Sequence, residues 1–238
     1  MRRCWGYCMR SRSDVYRARI YLMTPLITTI GFTMFDGLLA HLEARRQLGD
    51  DFYNLPTNKL ADLELDLPLR KLGSGRDWFY ATSASIMPGG AVGVTRVRKR
   101  PVVDGPDRRR VHLGKGRYKA YDIPFLYRSA RYVDFLFEGD AEEVEHLLAH
   151  LFALGKKRAE GFGTVRGVSV EPVELASAIQ LPDGRVTRPI PARYVDISRT
   201  GELYGCARLQ PLRFRPPYWA KRGVTLCTVP GERYVLNI

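Results

Sequence analysis

Between residues ~140 and 154 the apolar positions Val144, Leu147, Leu148, Leu151 and Phe152 recur at helical spacing, behind Asp140-Ala-Glu-Glu143, which reads as a capping box. The spacing predicts an amphipathic helix whose expected stop is Gly155. Phe35, Leu38, Leu39 and Leu42 share a helical face in the same way, with Asp36 in the first turn, where a negative charge suits the helix dipole. Other stretches change polarity with a period near two. Tyr16 to Met23, Asp77 to Met87, Tyr132 to Phe137 and the valine-rich Thr164 to Glu171 read as strands. Residues 49 to 76, with Pro56, Pro68, Gly73 and Gly75, read as a long connection.

The resulting order is strand, helix, strand, strand, helix, strand. It predicts an α+β chain with a ferredoxin-like (RRM-like) βαββαβ domain over residues 15–171, its antiparallel sheet carrying both helices on one face and leaving the other open to a ligand. After Glu171 short strand candidates, at about 178–181, 185–187, 194–197, 203–209 and 224–229, are separated by Pro and Gly turns, with no strong helical pattern. Residues 172–238 are therefore expected to form a smaller, β-rich C-terminal lobe. Residues 1–14, polar and arginine-rich, read as a basic, loosely attached N-terminal arm.

Charge sharpens this outline. The 238-residue chain has a net charge of +13, which points to an anionic partner, nucleic acid before membrane. An insertion from about 92 to 128, between the second and third strands, is too long for a hairpin turn. Within it, Arg96, Arg98, Lys99, Arg100, Arg108, Arg109, Arg110, Lys115, Arg117 and Lys119 stand against Asp104 and Asp107, a net of +8 in 24 residues. Charge so concentrated marks a contact surface, and Asp104-Gly105 suits its tip. In the C-terminal lobe, Arg213-Phe-Arg-Pro-Pro-Tyr218-Trp219-Ala-Lys-Arg222 alternates cations with rings, a composition that can stack on bases or pack on the core.

The connection from the second helix to the last strand, Gly155-Lys156-Lys157-Arg158-Ala-Glu-Gly161-Phe162-Gly163-Thr-Val165, carries the most specific chemistry. Rossmann and P-loop phosphate sites run from strand to glycine loop to helix and use the positive end of the helix dipole. Here the loop leaves a helix at its negative end, so side chains must supply the positive charge. Lys156, Lys157 and Arg158 do so, and Gly161 and Gly163 lack the Cβ that keeps a backbone away from a sugar-phosphate chain.

No apolar run reaches the ~18 residues of a membrane span, and the first ten residues hold no continuous apolar signal core, so the chain reads as cytoplasmic. Cys4, Cys8, Cys206 and Cys227 lack paired Cys-x-x-Cys spacing, which favours free thiols, and no metal or other cofactor is expected.

A ferredoxin-like plan, a basic insertion between its second and third strands and a helix-to-strand GKKRAEGFG loop together resemble the RAMP superfamily of CRISPR RNA-binding proteins. The loop is that superfamily's most recognisable motif. Length, the Phe35-Asp-Gly-Leu-Leu-Ala40 helix start and the thumb-like insertion are most similar to the type IV effector subunit, Cas5-like, that caps the complex at the five-prime handle of the guide RNA (crRNA). The resemblance implies an RNA-binding, non-enzymatic part in an antiviral ribonucleoprotein. It assigns the handle and the first backbone subunit to Gly155–Gly163 and to Arg96–Lys119, with target DNA as a further candidate partner to which no residue is assigned.

The rival within the same superfamily is a metal-independent endoribonuclease that processes repeat RNA, which needs a general base and a general acid. Among four histidines, His41 on the first helix and His112 in the insertion are its candidates, whereas His146 and His150 fall opposite the apolar stripe of their helix and lack the glutamate of a metalloprotease motif. A ferredoxin-like DNA-binding or ribosome-associated protein would account for the charge but not for the loop.

Overall fold

The computed structural model describes residues 14–28, 31–54, 63, 65–100, 114, 119–218 and 223–238. The N-terminal arm, apart from Asp14, and the expected tip at Asp104-Gly105 lie outside the described residues. So do Arg108, Arg109, Arg110, His112, Lys115, Arg117 and Trp219.

Strand β1 (Val15–Leu22) lies at the centre of the main sheet, antiparallel to β7 (Tyr132–Glu138) on one side and β8 (Val165–Val173) on the other. Registers Ala18↔Phe135 and Ala18↔Val170 place Ala18, Ile20, Val133, Phe135 and Phe137 on one face. Helices α1 (Phe35–Leu48) and α2 (Ala141–Leu148) cover that face. Phe35, Leu38, Leu39 and Leu42 come from the first helix and Val144, Leu147 and Leu148 from the second, all buried in one core. The ring of Phe35 stacks on Phe135 at 4.9 Å between centroids, and each such buried side chain contributes roughly 1.5–3 kcal/mol.

Four expectations need correction. The strand expected over Asp77 to Met87 is broken: β4 (Phe79–Tyr80) pairs with β3 (Lys71–Leu72), and the isolated bridges Thr82↔Phe137 and Ile86↔Asp134 attach the segment to the free edge of β7. The cause is Ser83, whose hydroxyl accepts from Leu136 N at 2.8 Å while its carbonyl accepts from Phe35 N at the start of α1. The spatial order is thus segment 82–86, β7, β1, β8.

The helix expected to reach residue 154 ends at Leu148. Its start is as expected, with Asp140 accepting from Glu142 N and Glu143 N, both at 3.1 Å. Beyond Leu148 the chain turns, and residues 152–154 then pair with 163–165 through Leu154 N to Gly163 O (2.8 Å) and Val165 N to Phe152 O (2.9 Å). Leu151 therefore reaches the core whereas Phe152 is 74% exposed.

The sheet face opposite the helices is not simply open. Arg17 pairs with Glu171, and Arg19 pairs with Asp134 through two hydrogen bonds of 2.7 and 2.8 Å while its guanidinium lies 3.8 Å from the Tyr132 ring centre. At one end Val15, Leu136 and Ala178 are buried, with Val173, Leu175 and Leu181 packed against them.

The C-terminal lobe holds a helix that the pattern did not suggest, α3 (Ile197–Tyr204), started by Asp196 accepting from Arg199 N at 3.0 Å and ended at Gly205. Strands β9 (Leu209–Arg213) and β10 (Val224–Thr228) pair antiparallel. Ile179, Val186, Ile190, Val195, Phe214, Cys227 and Tyr234 form the lobe's core around Phe79, which comes from the preceding part of the chain. No helix among the described residues is long and apolar enough to cross a membrane.

Candidate nucleic-acid interface

The insertion begins and ends as a two-stranded ribbon, β5 (Ala91–Lys99) with β6 (Tyr121–Ser129), in register from Ala91↔Ser129 to Lys99↔Tyr121. Short β2 (Leu26–Ile27) extends it by pairing Ile27 with Tyr127. One ribbon face exposes Val92, Val94, Pro124 and Leu126, with Arg96 and Arg98 farther along. These two arginines share Asp122, at 2.9 and 2.8 Å, so part of the ribbon's charge is balanced locally. Arg100 and Lys119, at the described ends, are exposed, as is Lys99.

The glycine loop is fastened to this ribbon. Lys156 N donates to Ile27 O and Gly163 N to Pro25 O, both at 2.8 Å, so two loop amides face the strand-β2 segment rather than a ligand. A Cβ on Gly163 would fall on the Leu154 carbonyl oxygen, and one on Gly155 would lie 2.5 Å from Ile27 O. Both glycines, with φ of 68° and 81°, are there for internal closeness. Of Gly161 and Gly163, expected to let a sugar-phosphate chain approach, Gly163 thus has an internal reason to be glycine, with its amide taken by Pro25 O. Only Gly161 (φ 85°) has open space around it. Phe162 beside it is half-buried, and its amide donates to Lys157 O at 3.3 Å.

The three loop cations take different tasks. Lys157 adopts a left-handed backbone, φ 61°, and sends its ammonium back to the ribbon, 5.3 Å from the Tyr121 ring centre and 5.2 Å from that of Phe125. It also pairs with Glu160 at 3.1 Å, and this hydrogen bond raises its pKa. Lys156 and Arg158 are exposed and border a groove of about 1250 Å³.

That groove runs between α1, the loop and the Arg213 to Tyr218 segment. Its cations are Lys71, Lys156, Arg158 and Arg213, and its acid, among the described residues, is Asp66, which pairs with Lys71 at 3.4 Å. Phe32, Trp78 and Tyr218 supply ring surface and are half-buried. His41 lines the same groove with its ring edge-on to Phe52, 5.1 Å between centroids. Burial, then the nearby Arg158 and Arg45 cations, push its pKa down to about 4. The groove therefore combines a cationic rim with apolar and aromatic walls.

Of the two readings of its segment, stacking on bases or packing on the core, the hydroxyl of Tyr218 takes the core side. Its hydroxyl donates to Asp36 at 2.8 Å and lies 3.2 Å from Arg188, in a buried network, while its ring sits against Gly37, where a Cβ would come within 2.9 Å. Asp36 likewise answers Arg188 and Tyr218 rather than the dipole of α1 alone. His146 and His150 are exposed, and no group of three or more His, Cys, Asp or Glu among the described residues could hold a metal. Cys206 and Cys227 are free thiols, and Cys4 and Cys8 lie outside the described residues.

The structure thus brings together the loop, the ribbon base, His41 and the Arg213 segment, which the sequence kept apart. Sequence reasoning missed Lys71, in a stretch whose Gly and Pro content marks only a connection, and Trp78, in a stretch that reads only as a strand. Residues 89–230, more than half of the chain and including the ribbon, the loop and β9 to β10, match the family model of the CRISPR type IV associated protein Csf3. No curated protein matches the chain.

Proposed function

Since the chain belongs to the Csf3 family of CRISPR type IV associated proteins, we propose that it is the RNA-binding subunit of a type IV effector ribonucleoprotein, holding the five-prime handle of the crRNA and capping the row of backbone subunits. The observation that carries this reading is the joining of two cationic elements through Lys157, whose ammonium sits on the rings of Tyr121 and Phe125. A strand of RNA needs phosphate contacts repeated along its length, and a loop and ribbon held in fixed relation offer them on both sides of one path. Lys156 and Arg158 face the groove side, while Arg100 and Lys119 lead toward the most basic part of the insertion.

In this reading the frame is ferredoxin-like. The order 82–86, β7, β1, β8 with both helices on one face supports it, as does the insertion's place between the second and third strands. The paired charges on the opposite face turn the RNA away from the sheet and toward the loop side. The exposed Val92, Val94, Pro124 and Leu126 face of the ribbon suits a protein neighbour, the first backbone subunit. The chain acts in this reading by binding, without cleaving.

The test is the affinity of the purified chain for its crRNA, measured by fluorescence anisotropy across a salt series. Replacing Lys156, Lys157 and Arg158 with glutamate should weaken binding by two orders of magnitude or so and flatten its dependence on salt. Undiminished binding by that variant would discard the reading.

A further inference from the structure

Nε2 of His41 is the buried side-chain polar atom that finds no hydrogen-bond partner among the described residues. Its ring lines the groove between α1 and the glycine loop. Buried polar atoms in folded proteins are nearly always paired, so an orphan on a groove wall asks for a ligand atom. With its pKa near 4 the imidazole is neutral at ordinary pH, one ring nitrogen donating and the other accepting. Such a group can donate to or accept from an uncharged hydrogen-bonding edge, and it brings no positive charge to a phosphate.

The rest of the groove agrees with that preference. The rim offers two exposed cations to a phosphate, Lys156 and Arg158. The walls bring Phe32, a planar group on which a base can stack, and Trp78, whose ring already carries the Arg215 guanidinium at 4.8 Å and the Lys71 ammonium at 5.3 Å. A volume of about 1250 Å³ leaves room for a nucleotide and part of its neighbour. We propose that the groove takes one extruded base of a single-stranded RNA, its flanking phosphates on Lys156 and Arg158 and its hydrogen-bonding edge on His41 Nε2. This assignment rests on the RNA-binding reading and adds to it a base-specific site.

The experiment uses the full chain and a synthetic RNA carrying the repeat-derived handle of its own CRISPR array, with an abasic nucleotide placed at each handle position in turn. One position should lose about tenfold or more in affinity while the others stay within about threefold. At that position the wild-type protein should prefer one base, and His41→Phe, which keeps a flat ring against Phe52, should lose the preference. His41→Asn, which restores a polar edge, should recover part of it. A flat abasic profile in the wild-type protein overturns the proposal, as does an unchanged base preference in His41→Phe. If His41→Phe fails to fold, the wild-type profile and His41→Asn still decide. The loop variant with three glutamates runs in parallel: undiminished binding by it removes the RNA reading as a whole, whereas weakened binding beside a flat abasic profile removes the groove assignment alone.

Discussion

The guanidinium of Arg188 lies 3.0 Å from the carboxylate of Asp36, and both side chains are fully buried. Arg188 also donates to the carbonyls of Tyr80 and Phe214 and, at 2.8 Å, to Thr82 Oγ1, so one side chain from the C-terminal lobe fastens α1 and the broken strand segment beside β7. Removing one partner of a buried pair leaves the other charge without compensation, which costs about 3–5 kcal/mol. Arg188→Met should therefore lower the unfolding temperature by on the order of 10 °C. Adding Asp36→Leu should return part of the loss, because no charge is then stranded. Calorimetry of the single and double variants checks this, and an Arg188→Met protein within about 1 kcal/mol of wild type would remove the network's structural role.

This network also marks where the sequence stops being informative. Phe35, Leu38, Leu39 and Leu42 declared α1 because helical burial repeats with the helix period, and Asp140 declared the start of α2 because a cap is a local device. Nothing local couples Asp36 to Arg188, which are 152 residues apart. Phe152 has the spacing of a helical core residue, yet the pairing of 152–154 with 163–165 takes it out to solvent, a tertiary preference no window of sequence contains. Helix α3 was hidden because it is short, with Gly201 inside it, and its buried residue is Thr200 while Ile197 and Leu203 stay exposed, so it has no run of core positions to repeat. For the candidate site, the loop cations were legible as charges, but their different directions were not. That Lys157 turns to the ribbon while Lys156 and Arg158 face a groove depends on the left-handed backbone at one residue.

Two glycines of the loop should respond in opposite ways to substitution. A Cβ at Gly163 meets the Leu154 carbonyl in a left-handed conformation, so Gly163→Ala should destabilise by about 1–3 kcal/mol and spoil the pairing that closes the loop. Gly161, at φ 85° with nothing within 4 Å of the place a Cβ would take, should accept asparagine with a change of a few tenths of a kcal/mol. Urea unfolding of the two variants separates the cases, and equal losses would show that Gly163 is not held by this contact.

Lys157 joins two elements, so its loss should appear in the ribbon as well as in the loop. Lys157→Gly relieves the left-handed backbone but removes the ammonium from the rings of Tyr121 and Phe125. The expected outcome is faster amide exchange across Tyr121 to Phe125 with little change in global stability. Lys156→Gly should leave ribbon exchange as it is. Identical exchange in both variants would separate the ribbon from the loop.

His41 gives the chain a specific acid sensitivity. Its folded pKa of about 4 lies below the ordinary 6.5, so between these values the unfolded chain binds a proton that the folded chain refuses. Stability is therefore fully present above pH 6.5 and is progressively lost as pH falls toward 4, below which this contribution levels off. Burial beside Phe52 opposes the imidazolium most, and Arg158 and Arg45 oppose it from two elements. Because the ring is only partly shielded from solvent, the loss is smaller than the shift alone would give. His41→Phe should remove this part of the pH dependence, so that the gap in urea midpoint between pH 7.5 and pH 5 is narrower in the variant than in the wild-type protein. Other carboxylates titrate in both proteins and cancel in that comparison. Equal gaps would mean that His41 is protonated in the folded chain as easily as in the unfolded one, and would remove the neutral imidazole on which base reading in the groove depends.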